Sequence, residues 1–283
     1  FIDIYSNSLT QNNLYNDSGV DLVDISVILI LSPKPNPEYI CKNSKNVQTI
    51  LEEILDYFQN LILENGPIKS YEVIIAFNTE SLQDLSTEAN DDAYQNEYRN
   101  LKEFILRNPE FSFLHVTTEL YDAAFILSCA KTRGRLIFVH SPYENVPFNI
   151  ISKYLQKSES GNDFLLLGAW KDRSREEIVY QTNLSLLLNS FHDYLFSFLD
   201  INPRIFHHCF SFMVTRNLAK ILLLNLSLSE PASFFEMIVI SDILNCPIKC
   251  VKLDQVDDVT LVKPSSRKLM ELLSMLIILL TRF

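Results

Sequence analysis

The sequence predicts an α/β protein of three layers, with helices on both faces of a mostly parallel central sheet. Three observations carry this. Short apolar runs rich in β-branched residues, DISVILIL at 24–31, YEVIIAF at 71–77 and LIFV at 136–139, have the length and composition of strands buried on both faces. They alternate with longer segments of helical period. Residues 114–144 (LHVTTELYDAAFILSCAKTRGRLIFVHSPYE) also hold strand, helix and strand in succession, the crossover unit of a parallel sheet. Such sheets gather ligands just beyond the C-terminal ends of their strands, which directs attention to Ser141, Pro142, Tyr143 and Glu144.

Taken in order, residues 1–20 are polar, rich in Asn and Ser, and read as an extended arm. The strand at 24–31 is ended by SPKPNP, whose alternating prolines neither extend a ladder nor enter a helix interior. Residues 47–64 follow as a helix with Ile50, Leu51, Ile54, Leu55, Phe58, Leu61 and Ile62 on one face, stopped by Asn65 and Gly66. After the strand at 71–77, residues 80–96 read as an acidic loop or exposed helix start, with Asp91 and Asp92 in solvent. A helix over 98–106 ends at Asn108-Pro109. The crossover unit comes next: strand 113–116, helix 123–130, strand 136–139. A short helix at 150–156 and a strand at 164–167 lead to Trp170 and the charged run 171–177.

Residues 178–199 read as a helix apolar over more than half its circumference, with Leu184, Leu187, Phe191, Leu195 and Phe198 among its residues. A strand at 210–214, helices at 217–226 and 233–244, and a strand at 248–253 complete the domain, 21–264. The last segment, 265–283, is a helix with a dense apolar run at 269–280. It is too short to span a bilayer and is expected either in the core or against a membrane or partner.

Composition narrows the function classes. With 24 basic and 35 acidic residues the net charge is −11, which disfavours nucleic acid and polybasic attachment to anionic lipid. The five scattered cysteines fit a reducing compartment better than a disulfide framework, and none has the spacing of a metal site. Only five glycines occur, few for a loop that wraps phosphate with backbone. Nucleophile-elbow, Walker and dinucleotide fingerprints are absent from the sequence.

The order of segments resembles that of the dolichyl-phosphate β-glucosyltransferases, within the inverting glycosyltransferase family 2 and its GT-A fold. ISVILIL resembles the family's first strand, and SYEVIIAF the strand that leads into Asp-Asp-Gly-Ser. KTRGRLIF, from Lys131, resembles the strand entry before the metal-binding Asp-x-Asp. HCFSFMVTRNLA, from His208, is similar to the family's Cys-Gly-Phe-Lys passage, and the apolar tail to its membrane-associated end. The resemblance implies a UDP-sugar site in which the first Asp pair holds uracil and the Asp-x-Asp binds Mg2+ or Mn2+ on the diphosphate. Here those positions fall on Phe77, Asn78, Thr79 and Glu80, and on Ser141, Pro142 and Tyr143, so the carboxylates are missing.

From these departures the expected function is that of a catalytically degenerate GT-A-like scaffold rather than an enzyme. It would be a structural or regulatory subunit of a membrane-associated assembly, contacting other subunits or lipid through 178–199 and 269–280. The location implied is an intracellular reducing compartment, peripheral to a membrane such as the cytosolic face of the endoplasmic reticulum. No cofactor and no nucleic acid is expected. The alternatives are an active transferase from a UDP-glucose-like donor to dolichyl or polyprenyl phosphate, or a nucleotide-sugar binding module without turnover. For an active enzyme the resemblance points to Glu236 as catalytic base and to Asn78 and Glu80 for substrate. A site without metal needs basic groups on the diphosphate, for which Arg133, Arg135 and Arg216 are the candidates. Glu144 is the candidate metal ligand, and Mg2+ or Mn2+ enters only under that alternative.

Overall fold

A computed structural model of the chain describes residues 21–31, 47–78, 92–116, 121–140, 148–158, 162–170, 211–226 and 233–253. The central sheet has seven strands: β1 (Val23–Leu31), β2 (Tyr71–Asn78), β3 (Phe111–Val116), β4 (Gly134–His140), β5 (Leu165–Trp170), β6 (Phe212–Thr215) and β7 (Ile248–Leu253). Their order is β3-β2-β1-β4-β6-β5-β7. All neighbours pair parallel except β6, which runs antiparallel to both β4 and β5. The three-layer, mostly parallel architecture expected from the apolar runs is therefore present.

Alternation along each strand sends side chains to opposite faces. Ile25, Val27, Leu29 and Leu31 of β1, with Val73 and Ile75 of β2, face α1 (Val47–Leu63), α2 (Asp92–Arg107) and α4 (Ile151–Lys157). Ile28 and Ile30, with Ile74 and Ala76, face the other layer: α3 (Tyr121–Lys131), α5 (Arg216–Asn225) and α6 (Ser233–Ile243). On the first face Phe58 stacks on Tyr71 at a centroid distance of 4.3 Å and meets Phe148 of a short 3-10 turn edge-on. The face holding α6 is still drier around that helix. Glu236 to Ser241 are buried at six consecutive positions, which requires packing on all sides of the helix.

Helix ends are closed by backbone rather than by long loops. At the end of α1 the Gly66 N–H donates to Leu61 O (2.8 Å) and the Asn65 N–H to Ile62 O (3.1 Å). Asn65 takes the left-handed conformation, φ 55°, that this paired closure needs. The same device ends α6, with Asn245 at φ 54° and the Cys246 N–H donating to Ser241 O. Asn-Gly and Asn-Cys thus stop two helices in the same way.

Several boundaries depart from expectation. α2 begins at Asp92, not near Tyr98, so Asp92 is a helical residue instead of part of a solvated loop. The predicted strand at 113–116 starts earlier, at Phe111, because β3 pairs Phe111 with Val73 across a parallel ladder. Residues 171–210 and 254–283, with the apolar runs 178–199 and 269–280, lie outside the described residues.

Candidate functional site

β1, β2 and β3 lie in sequence toward one edge of the sheet, and α3 then carries the chain back to place β4 on the far side of β1. This reversal is the topological switch point, the place where open α/β sheets hold ligands outside the carboxyl ends of their strands. Register fixes what meets there. Leu29 of β1 is level with His140 of β4, Leu31 with Phe77 of β2, Asn78 with Val116 of β3, and Val139 with Phe212 of β6. β6 enters the sheet from this edge and leaves at the opposite one. α5 returns and α6 descends again into β7, so the first turn of α6 stands on the switch-point side.

A buried polar group at this edge is His140, the last residue of β4. Its Nδ1 lies 3.1 Å from Ser211 Oγ, and both residues are buried, at 2% and 0% exposure. The Ser211 carbonyl in turn accepts from Tyr154 Oη at 2.7 Å and from the Gly168 N–H at 3.0 Å. The imidazole stacks on Phe138 and meets the edge of Phe148. Burial among these rings lowers the His140 pKa to about 4, because a charged imidazolium there would lose its water without gaining a counter-ion. The ring is therefore neutral at physiological pH, one nitrogen a donor and the other an acceptor. The sequence reading centres on Ser141 to Glu144, the residues just after this group. The signal available was a polar residue closing an otherwise apolar strand, GRLIFVH.

The candidates named from sequence separate into two sets. Glu236 lies in the first turn of α6, on the switch-point side, and is 1% exposed. Asn78 is the last residue of β2 at the same edge. Glu80 and Glu144 lie outside the described residues. The three arginines are elsewhere. Arg133 immediately precedes β4 and binds Glu72, Arg135 is exposed on the second residue of β4, and Arg216 donates through Nη1 to Thr132 O. β4 is seven residues long, so roughly 20 Å of extended strand separates this edge from His140. The structure thus brings Asn78 and Glu236 to the switch-point edge and leaves Arg133, Arg135 and Arg216 at the opposite one.

A hard divalent cation wants several oxygen ligands, carboxylates above all. Among the described residues no group of three or more His, Cys, Asp or Glu side chains converges. At the end of β4 the side chain in place is an imidazole already turned to a serine hydroxyl. The described donor set does not fit Mg2+ or Mn2+. Nor do the described cysteines form a soft-metal site: Cys129, Cys246 and Cys250 are free thiols, and burial pushes the pKa of each upward.

No family model matches the chain, and no curated protein matches it. Solved structures do. Glucosyl-3-phosphoglycerate synthase from Mycobacterium tuberculosis, in complex with Mn2+, UDP and phosphoglyceric acid, is similar over 92% of this chain and 78% of its own, with TM-score 0.50 and 14% identity. The same synthase with UDP alone is similar over 93% and 81%, at TM-score 0.50 and 12% identity. Its complex with Mn2+, UDP-glucose and phosphoglyceric acid covers 90% and 79%, again at 0.50 and 12%. The chain has a GT-A-like fold.

The finer resemblance, to dolichyl-phosphate β-glucosyltransferases of family 2, is not what this likeness carries; at such identity it carries the GT-A-like architecture. One expectation is corrected. The non-enzyme reading rests on missing carboxylates, few glycines and two apolar segments, whereas the structures that share this fold are of a synthase held with nucleotide, metal and acceptor. Missing aspartates describe residue types at a few positions alone. The GT-A-like sheet keeps its reversal at β1 and β4 intact, with a buried carboxylate on the same side.

Proposed function

We propose that the chain is a glycosyltransferase that moves a sugar from a nucleoside diphosphate donor, UDP-glucose or a close analogue, to a phosphate-bearing acceptor. The observation that carries this reading is the strand order β3-β2-β1-β4-β6-β5-β7 with antiparallel β6, whose reversal between β1 and β4 is where open α/β sheets hold ligands. It is supported by likeness in fold to a synthase whose solved complexes contain UDP or UDP-glucose.

In the transfer, the bond from the sugar's anomeric carbon to the diphosphate oxygen breaks and a bond to the acceptor oxygen forms. The electron pair leaves with the diphosphate. Glu236 is the carboxylate assigned to take up the acceptor proton, being held on the switch-point side by a buried helix. Arg133, Arg135 and Arg216 take no part in stabilising the leaving group, since they are committed to the far edge. Two acceptors share the required chemistry: polyprenyl phosphate, favoured by the sequence resemblance, and phosphoglyceric acid, which the similar synthase binds.

The test is binding followed by transfer. Calorimetry with UDP-glucose is run with and without Mn2+, then radiolabelled donor is offered with each acceptor in turn. Label passing into polyprenyl phosphate or into phosphoglycerate supports the reading and selects the acceptor. A chain that binds neither UDP nor UDP-glucose in either condition refutes it.

A further inference from the structure

We propose that His140 is a positioning residue of the donor site, holding the exit of β4 and the entry to β6 in one register by gripping Ser211 through Nδ1. The inference rests on the transferase reading and deepens it. His140 is the last residue of β4 and Ser211 the residue before β6, so the chain departs from the sheet at one and arrives at the other, both on the switch-point edge. The pair closes a gap of 71 positions in sequence with one side-chain hydrogen bond of 3.1 Å.

The grip is not isolated. The Ser211 carbonyl is fixed by Tyr154 Oη and the Gly168 N–H, so α4, β5, β6 and the end of β4 meet at a single buried residue. Phe138 and Phe148 confine the imidazole on two sides, leaving little freedom for another rotamer. Burial keeps the ring neutral, so it can hold one tautomer against the serine hydroxyl. An apolar residue of the same volume would fill the space equally well. A polar pair at this place, on the switch-point edge of the sheet, needs a reason beyond packing, since only satisfied buried polar groups avoid a penalty. Fixing the two chain ends that border the donor supplies that reason, because misplacing a binding group by a fraction of an ångström weakens the site it serves.

The experiment compares UDP affinity and melting temperature in five proteins: the wild type, His140→Leu, His140→Asn, Ser211→Ala, and the double variant His140→Leu/Ser211→Ala that completes a cycle. Asn can present an amide near the Nδ1 position, whereas Leu cannot. The expected result is that His140→Leu and Ser211→Ala each weaken UDP binding about tenfold in fully folded protein, the double variant no more than either, and His140→Asn within about threefold of wild type. Variants that fold and bind UDP as wild type does, or His140→Asn falling as far as His140→Leu, overturn the proposal while leaving the transferase reading standing. A wild type that binds no UDP overturns both.

Discussion

Arg133 Nε lies 2.8 Å from Glu72 Oε2, while the backbone N–H of the same arginine donates to Glu72 Oε1. That oxygen also accepts from Ser26 Oγ, which in turn accepts from the Gly134 N–H at 2.7 Å. One carboxylate therefore ties the starts of β1, β2 and β4 together at the edge away from the switch point. Replacing Glu72 with Ala leaves the Ser26 hydroxyl and the Arg133 N–H without their acceptor. The expected loss is about 2–4 kcal/mol in urea unfolding, whereas Arg133→Ala, which removes a half-exposed guanidinium, is expected to cost less.

Gly134 is where this clamp admits no side chain. A Cβ there would stand 2.3 Å from Ser26 N and 2.5 Å from Leu136 O, both backbone atoms that cannot swing aside. Gly134→Ala should force β1 and β4 apart and destabilise the fold by about 3 kcal/mol or more. A thermal melt within two degrees of wild type would contradict the placement of this glycine.

His140 gives the fold an acid limit. The unfolded imidazole protonates near 6.5 and the native one at about 4, so between these values the unfolded chain binds the extra proton. This contribution to stability is complete above pH 6.5 and shrinks as pH falls, with about 3 kcal/mol lost by pH 4. Denaturant midpoints measured from pH 7 to pH 4 should fall more steeply for wild type than for His140→Leu. Parallel curves would show that His140 is not buried as described.

Tyr154→Phe removes only the hydroxyl that donates to the Ser211 carbonyl, and the Gly168 N–H still reaches that oxygen. A cost of about 1 kcal/mol follows, without the cavity penalty of Tyr154→Ala. Equilibrium unfolding of the two variants separates these effects.

Glu236→Gln keeps the volume of a buried residue and removes its basicity. In the proposed transfer it should lower turnover by at least about a hundredfold while UDP affinity changes little. Equal loss of affinity and turnover would place Glu236 in support of the fold instead.

Much of the architecture is legible in the residues. Seven apolar runs of strand length and helices of amphipathic period predict the layers, since burial on two faces demands those patterns wherever they occur. The Asn-Gly stop after α1 is equally plain, because few residues accept the left-handed backbone that closes a helix. The site was harder. Arg133, Arg135 and Arg216 look like phosphate ligands beside a strand in a linear reading, yet a strand has two ends and periodicity does not say which end faces the ligand.

By itself the sequence determined the class of fold, the strand cores and the loss of aspartates from the expected motif positions, all of which depend on local residue type. Tertiary structure alone decided strand order, the antiparallel insertion of β6, and the meeting of His140 with Ser211 across 71 positions. It also decided that Glu72 belongs to a clamp with Arg133 and that the arginines stand at the far edge. Those relations arise only when the chain reverses at β1 and brings distant segments level, since hydrogen bonds and ion pairs depend on distance in space and not on separation in sequence.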